Sequence, residues 1–239
     1  MSAQPPVLAG KTALVTGASR GIGRAVALRL ASLGSRLLLV GRNAETLAEA
    51  TRAAAATGAE AASLPCDLSS AEALAALAAD VTGRYGCDIL VNAAGIGRIG
   101  QPLAQMPVAD FEAVLATNLR APFLLMQAVL PGMIAKGGGF IVNISSLAGT
   151  NPLPNGAAYA ASKWGLNGLT CSVAEEVRAH NIRVSLVAPG SVNTSFGSSG
   201  KDPARMLQPE DVASVVAMLV TQPPQSFISE VRMRPTVKP

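Results

Sequence analysis

Short apolar runs alternate with longer segments of helical periodicity along most of the chain. The short runs have the length of strands and contain consecutive Val, Ile and Leu residues without regular polar alternation. They cover residues 12–16, 36–40, 61–66, 89–92, 140–145, 183–188 and 229–234. Strands of this kind are typical of a parallel sheet that is buried on both faces.

The segments between these runs are rich in alanine and have apolar residues three or four positions apart, which predicts helices. They cover residues 23–33, 44–57, 71–85, 107–136, 159–180 and 209–220. The alternation predicts an α/β fold: a doubly wound, mainly parallel sheet of seven strands with helices on both faces. No repeat or low-complexity tract divides the series, so we expect one domain over residues 1–239.

The composition argues against several classes of protein. Hydrophobic residues make up 49% of the chain and charged residues 14%, which argues against disorder. No uninterrupted apolar run reaches the roughly 18 residues of a membrane span, and the first ten residues do not resemble a signal peptide. Cys66, Cys87 and Cys171 are scattered without metal-ligand spacing, which favours reduced thiols in the cytoplasm and no metal site.

The net charge of +4 is compatible with nucleic-acid binding, but the chain has no run of Lys or Arg and only 3% aromatic residues. We therefore expect no nucleic-acid partner. His180 is the only histidine, which excludes most zinc sites, and its place near a predicted helix end indicates a surface residue.

A glycine-rich turn follows the first predicted strand and opens the first predicted helix: Thr16-Gly17-Ala18-Ser19-Arg20-Gly21-Ile22-Gly23. In this setting such a turn binds a dinucleotide, because Gly17 permits the turn and Gly21 lets the backbone approach a pyrophosphate. Gly23 allows helix and strand to pack closely, and the helix N-terminus faces the phosphates. An ordinary strand-to-helix loop is the alternative for a glycine pattern alone.

The second predicted strand ends in Gly41-Arg42-Asn43, without the carboxylate that binds a ribose 2′-hydroxyl in NAD-dependent folds. Arg42, together with Arg20, can pair with a 2′-phosphate through charge-assisted hydrogen bonds. The pair favours NADP(H) as the cofactor, although each arginine alone can be an ordinary surface charge.

Two more strand ends carry polar residues. Asp67 and Leu68 follow the third strand, where an acid can accept a hydrogen bond from an adenine amino group. A helix-capping role for Asp67, or for Ser69, fits the same spacing. The fourth strand runs into Asn92-Ala93-Ala94-Gly95.

In this order the motifs resemble the short-chain dehydrogenase/reductase family in its single-domain form. The matching motifs are Thr16-Gly17-x-x-x-Gly21-x-Gly23, Asp67, Asn92-Ala-Ala-Gly95, Asn118, Ser146, Tyr159-x-x-x-Lys163 and Pro189-Gly190-x-Val192-x-Thr194. Family members have a second asparagine where this chain has Ala93. The close of the chain from Phe227 resembles a subset of NADP-dependent reductases that act on oxo-acids, oxo-esters and other small carbonyls.

The resemblance implies four catalytic residues: Asn118, Ser146, Tyr159 and Lys163. Tyr159 would donate a proton, and Ser146, 13 positions before it, would hydrogen-bond the substrate oxygen. Lys163 lies on the same helix face as Tyr159. Its charge, with that of the nicotinamide, would lower the pKa of the tyrosine, and it would bind the nicotinamide ribose. Asn118 would hold a water that links Lys163 to solvent.

The resemblance also implies a set of cofactor-binding residues. These are Gly17, Ser19, Arg20, Gly21, Ile22, Gly23, Arg42, Asp67, Leu68, Asn92, Gly95, Tyr159, Lys163, Pro189, Gly190, Val192 and Thr194. Residues 195–208, which are rich in Gly and Ser, are expected to form a short mobile lid over the substrate.

We expect an NADPH-dependent oxidoreductase that reduces a ketone by hydride transfer, most like the 3-oxoacyl-(acyl-carrier-protein) reductases. The alternatives are an NADP-dependent dehydrogenase of 3-hydroxy acids or other small alcohols, and an inactive cofactor-sensing regulator. The expected partners are a small carbonyl or an acyl thioester, with acyl carrier protein as a candidate, and neither nucleic acid nor membrane. Apolar residues on more than one face of helices 107–136 and 159–180 predict a homo-oligomer, a tetramer or a dimer.

Overall fold

The computed structural model describes residues 6–196, 200 and 202–238, within which seven strands alternate with α-helices. The strands are β1 (Thr12–Thr16), β2 (Arg36–Gly41), β3 (Ala61–Pro65), β4 (Ile89–Asn92), β5 (Gly139–Ile144), β6 (Ile182–Pro189) and β7 (Glu230–Met233). The helices are α1 (Gly21–Ser32), α2 (Ala44–Ala55), α3 (Ala71–Asp80), α4 (Val108–Leu115), α5 (Ala121–Lys136), α6 (Ala157–Val177) and α7 (Pro209–Val220).

The seven strands form one parallel sheet in the order β3-β2-β1-β4-β5-β6-β7. The chain builds one half of the sheet outward from β1 and then returns to add β4 on the other side of it. In sheets of this topology, ligands bind outside the carboxyl ends of the strands where the order reverses. The predicted doubly wound, parallel, seven-stranded fold is confirmed.

Both faces of the sheet are buried, which explains the continuous apolar runs in the sequence. In β1, Ala13 and Val15 belong to the core that includes α1, α2 and α7, whereas Leu14 belongs to the opposite core with α3, α5 and α6. The sheet is therefore held rigidly between two helical layers, and its carboxyl edge is a fixed platform for side chains.

The predicted helix at residues 107–136 is interrupted. A π-helical turn, Ala116–Arg120, joins α4 to α5, and a second one, Val81–Tyr85, follows α3. A π turn inserts one residue into the helix and is common at functional sites. The inserted residue shifts the helical phase by roughly 100°. Because α5 carries apolar residues on most of its faces, the periodicity of the sequence does not reveal this shift.

By length and composition alone, Val108–Lys136 is the one helix among the described residues that could cross a membrane. In the fold this stretch covers the sheet, with Leu125, Val129 and Met133 buried in the core. Core helices commonly pass such a test, so it gives weak support to a membrane span.

Candidate active site

A cleft of about 750 Å³ lies at the carboxyl ends of the strands, where the sheet order reverses. Every predicted site residue lines this cleft except Asn92 and Asn118. The lining members of the predicted set are Gly17, Ser19, Arg20, Gly21, Ile22, Gly23, Arg42, Asp67, Leu68, Gly95, Ser146, Tyr159, Lys163, Pro189, Gly190, Val192 and Thr194.

The glycine turn is shaped by close backbone packing. A Cβ atom at Gly23 would lie 2.3 Å from the carbonyl oxygen of Gly17, and one at Gly17 would lie 2.9 Å from Cα of Ala94. Gly17 also has a φ of +67°, in the left-handed region that favours glycine. Helix α1 begins at Gly21, so the first-turn N–H groups that lack intrahelical partners are available to an anion in the cleft.

The ends of β1 and β2 offer donors for a phosphate. The Ser19 hydroxyl is buried without a hydrogen-bond partner among the described residues. The side chains of Arg20 and Arg42 are exposed at the rim, and neither forms a salt bridge with a described residue. A Cβ at Gly41 would lie 2.5 Å from Ser19 Oγ, so a carboxylate there would crowd this hydroxyl. This set of donors fits a phosphorylated ribose.

Asp67 lies at the end of β3 with its carboxylate engaged locally. It accepts hydrogen bonds from the backbone N–H and the hydroxyl of Ser69, at 2.9 and 2.8 Å, and these bonds lower the pKa of Asp67, with a smaller contribution from Arg42. The cap of α3 is Ser70, whose hydroxyl accepts from the N–H of Ala73. The capping role considered for Asp67 or Ser69 is therefore wrong.

Asn118 lies in the π turn and is completely buried. Its amide donates to the Ile96 carbonyl (2.9 Å) and to Ser162 Oγ (3.0 Å), and its Oδ1 accepts from the Ile96 N–H. The Ser162 hydroxyl donates in turn to the backbone carbonyl of Tyr159. Both amide protons of Asn118 are thus used to hold α6 and the loop after β4, and the expected role of Asn118 in holding a water stays a prediction.

Tyr159 and Lys163 are one turn apart on α6, 8% and 4% exposed. Lys163 Nζ donates to the Ile144 carbonyl at 2.9 Å and lies 5.7 Å from the Tyr159 ring centroid. Burial lowers the pKa of Lys163 to about 8. Burial raises the pKa of Tyr159, and a hydrogen bond with Ser146 offsets part of that rise. The protein residues alone therefore do not lower the pKa of Tyr159 as expected, because desolvation outweighs the other contributions.

Ser146 is held by backbone contacts at the start of a 3₁₀ turn, where its hydroxyl accepts from the N–H of Ala148 at 3.1 Å. The neighbouring hydroxyl of Ser145 donates to Asn167 on α6 at 2.5 Å, and Asn167 donates to the Gly149 carbonyl at 3.0 Å. Both serines line the cleft, but the Ser145 hydroxyl braces the loop, whereas Ser146 is the one that hydrogen-bonds Tyr159. No sequence motif indicated Asn167.

Asn92 is 3% exposed and does not line the cleft, and its expected contact with the cofactor stays a prediction. Its amide donates to Asn143 Oδ1 on β5 at 2.8 Å, and Asn143 donates to Thr170 on α6 at 2.9 Å. The next two backbone N–H groups donate to Thr16 Oγ1 at 3.0 and 3.1 Å. These bonds join the ends of β1, β4 and β5 under the site.

The predicted lid at residues 195–208 falls partly on residues 197–199 and 201, which lie outside the described residues. On the cleft side, Phe196 lines the site. At the far end, Leu207 donates to the Ser191 carbonyl and accepts from the N–H of Asn193, which fixes that end to the loop after β6. The mobility of the segment stays a prediction.

Residues 11–204 match the short chain dehydrogenase family. The chain belongs to this family. A metagenomic short-chain oxidoreductase solved in complex with NADP is 52% identical, with a TM-score of 0.87 over 97% of this chain and 100% of that one.

Two of the named relatives of this chain are named for different substrates. A 3-oxoacyl-[acyl-carrier-protein] reductase of Synechocystis sp. is 36% identical over 93% of this chain and 94% of its own length. A D-threitol dehydrogenase of Mycolicibacterium smegmatis is 40% identical over 83% of this chain and 76% of its own length. As a short-chain dehydrogenase, the chain is an NAD(P)-dependent oxidoreductase acting on alcohol and carbonyl groups.

Proposed function

We propose that this short-chain dehydrogenase is an NADPH-dependent carbonyl reductase. The observation that carries the proposal is the convergence in one cleft of Ser146, Tyr159 and Lys163 with the phosphate-binding turn. The same convergence argues against an inactive cofactor-sensing regulator, since such a protein has no need of a complete proton-donating set.

The cofactor assignment rests on the adenosine end of the cleft. Arg20 and Arg42 would hold the 2′-phosphate with the unpartnered hydroxyl of Ser19, and the N-terminus of α1 would face the pyrophosphate. Asp67, which lines the cleft, would accept a hydrogen bond from the adenine amino group. The NADP complex of the structure that is 52% identical supports this choice.

When bound, NADPH supplies the hydride that reduces the carbonyl carbon. Tyr159 donates its phenolic proton to the carbonyl oxygen, so that hydride and proton together give the alcohol. Because burial raises the pKa of Tyr159, the phenol is protonated at neutral pH and ready to donate. Ser146 hydrogen-bonds the same oxygen, and Lys163, when protonated, stabilises the tyrosinate left behind.

The proposed substrates are small ketones or 3-oxoacyl thioesters, as the likeness to 3-oxoacyl-(acyl-carrier-protein) reductases suggests. Acyl carrier protein is then a candidate partner. The reverse reaction on a 3-hydroxy acid or another small alcohol is the second candidate, which the D-threitol dehydrogenase relative favours. Three free thiols support a cytoplasmic location.

The proposed enzyme is a homo-oligomer, a tetramer or a dimer. Trp164 and Phe123 are exposed on α6 and α5. Phe123 lines a groove of about 830 Å³, together with mainly apolar residues that include Leu119 and Leu169. Glu112 and Arg120 lie in the same groove, and a two-fold axis can bring such opposite charges together across an interface.

The test is a spectrophotometric screen of NADPH oxidation against acetoacetyl thioesters, oxo-esters, diketones and aldehydes, repeated with NADH. We expect carbonyl-dependent oxidation of NADPH that is at least 10-fold faster, as kcat/KM, than that of NADH. Oxidation of neither cofactor with any carbonyl would contradict the proposed activity.

A further inference from the structure

Apolar side chains form part of the wall of the cleft that holds Tyr159. Ile96, Ile99, Leu147, Leu153 and Phe196 are among the lining residues, and Phe196 contacts the Tyr159 ring. Leu153 packs on Gly156, just before the helix that carries Tyr159. The packing is close: a Cβ at Gly156 would lie 2.5 Å from the Cδ2 atom of Leu153. The space beside the proton donor is therefore built for an apolar substituent.

Phe196 forms the aromatic part of this wall. Its ring lies 5.5 Å from the Tyr159 ring, centroid to centroid, at an interplanar angle of 50°, within the range of aromatic contacts. Phe196 Cζ and Ile99 Cδ1 both approach Gly97, at 3.2 and 3.3 Å from the position of a Cβ there. Phe196 thus bridges Tyr159 and the loop after β4, and it keeps 43% of its surface exposed to the cleft and solvent.

The charged residues of the cleft are at its other end or already engaged. Arg20, Arg42 and Asp67 lie near the ends of β1, β2 and β3. Arg98, in the loop that forms the wall, pairs with Asp110 at 3.1 Å. Among the described residues, Lys163 is the one cation that lines the cleft near Tyr159, and its ammonium is buried against the Ile144 carbonyl.

We propose that the site selects neutral ketones with an apolar substituent beside the carbonyl, that Phe196 is the residue that selects them, and that ketones carrying a nearby carboxylate are poor substrates. A carboxylate near the carbonyl would lose its hydration against Leu153 and Phe196. Among the described residues, the one cation beside Tyr159 is Lys163, which is already engaged with the Ile144 carbonyl. This inference rests on the proposed carbonyl reductase activity and narrows its substrates to esters, thioesters and simple ketones.

The first measurement compares ethyl acetoacetate with acetoacetate, which share a carbon skeleton around the ketone and differ in charge. With the wild-type enzyme and NADPH, we expect kcat/KM for the ester to exceed that for the acid by at least 10-fold. Because the two ketones also differ in intrinsic reactivity, the same ratio is measured in Leu153→Arg and Leu153→Met. The arginine should shift the ratio toward acetoacetate at least 5-fold, and the methionine should leave it unchanged within 2-fold.

The second measurement tests Phe196 directly. Phe196→Ala should raise KM for ethyl acetoacetate and lower kcat/KM by roughly 3- to 10-fold, with KM for NADPH unchanged within 2-fold. Phe196→Leu, which keeps apolar bulk, should recover most of that loss. Met218→Ala is the matched control, since Met218 is 44% exposed on α7, outside the cleft, and it should behave as wild type.

Equal reduction of acetoacetate and its ester by the wild type, or an unchanged KM for the ester in Phe196→Ala, would overturn the inference and leave the proposed function in place. If the enzyme reduces other carbonyls in the screen but neither acetoacetate nor its ester, the inference is likewise overturned and the proposed function is kept. Failure of every carbonyl to oxidise NADPH would overturn both.

Discussion

Burial acts on Tyr159 and Lys163 in opposite directions. It raises the pKa of the phenol and lowers that of the ammonium, because desolvation disfavours the charged form of each group. The lysine has one hydrogen bond to a protein atom, at the Ile144 carbonyl, to offset that cost. A buried cation of this kind serves chemistry at the expense of stability.

Lys163→Met should therefore stabilise the protein while abolishing turnover. The pKa of Lys163 is about 8 in the folded protein against an ordinary value of 10.5, so between these values the unfolded chain binds more protons and stability rises with pH. The free-energy cost of burying the charged ammonium of Lys163 is fully present below pH 8. It is gone above pH 10.5, where the lysine is neutral in both the folded and the unfolded chain. The variant should gain about 3 kcal/mol at pH 7 and nothing near pH 10.5.

Chemical unfolding of the wild type and Lys163→Met at several pH values measures this difference. A pH-independent difference, or a variant less stable than wild type at pH 7, would show that the ammonium is not the destabilising group.

Arg42→Asp tests the cofactor assignment at the other end of the cleft. The new carboxylate repels a 2′-phosphate and can accept from a ribose hydroxyl, so kcat/KM for NADPH should fall at least 10-fold while that for NADH rises. Paired steady-state kinetics with both cofactors on both proteins give the answer. An unchanged NADPH/NADH ratio would mean that Arg42 is only a surface charge.

Residues with a fixed local spacing could be predicted from the sequence, and residues joined by tertiary contact could not. Ser146, Tyr159 and Lys163 lie at set distances from one another along the chain, and the resemblance to the family identifies them through this spacing. Asn167 and Phe196 carry no motif, and they act through contacts with Ser145 and Tyr159 that only the packed fold creates.

At the scale of elements, the strand–turn–helix unit that opens the chain depends on one contact between backbone atoms. At Gly23 a methyl group would meet the carbonyl oxygen of Gly17 at 2.3 Å, and because its neighbours are backbone atoms of Thr16 and Gly17, no flexible side chain can move aside. At Gly132, inside α5, a methyl group would meet nothing within 4 Å. The two glycines provide a matched pair.

Gly23→Ala should destabilise the protein by about 1–3 kcal/mol or more and raise KM for NADPH, because the turn must open to fit the methyl group. Gly132→Ala should stabilise it by up to about 1 kcal/mol, since alanine is the better helix former. Thermal unfolding and NADPH kinetics of both variants check this. A Gly23→Ala protein with wild-type Tm and KM would contradict the packing argument.

Most element positions followed from the apolar pattern, because strands buried on both faces and helices with one buried face have distinct periods. The predicted strand at 12–16 coincides with β1, and the prediction at 36–40 differs from β2 by one residue. The two π turns were missed for a physical reason. The phase shift of one inserted residue does not show where the helix carries alanine or other apolar residues on most of its faces, as in residues 71–85 and 107–136.

At the scale of the whole molecule, the two helical layers leave one apolar face without cover among the described residues. Phe123 on α5 and Trp164 on α6 are 44% and 55% exposed. Exposed apolar residues of this kind support the proposed interface between copies of the chain.

Phe123→Asp should weaken or abolish the oligomer, because burying a carboxylate in an apolar contact is unfavourable. Light scattering should give a wild-type particle that is a multiple of 24.2 kDa and a variant shifted toward 24.2 kDa. Val7→Asp, a change at another exposed apolar residue, is the control and should assemble as wild type. A wild-type particle of 24.2 kDa at micromolar concentration would contradict the proposed assembly.

The central claim is that Tyr159 is the proton donor of an NADPH-dependent carbonyl reductase, and Tyr159→Phe tests it most directly. The change removes one hydroxyl and leaves the phosphate-binding turn untouched. We expect NADPH affinity, measured by fluorescence titration, to stay within about 3-fold of wild type while kcat falls at least 100-fold, as loss of general acid catalysis requires. A variant that binds NADPH normally and keeps more than about a tenth of the wild-type rate would contradict the account.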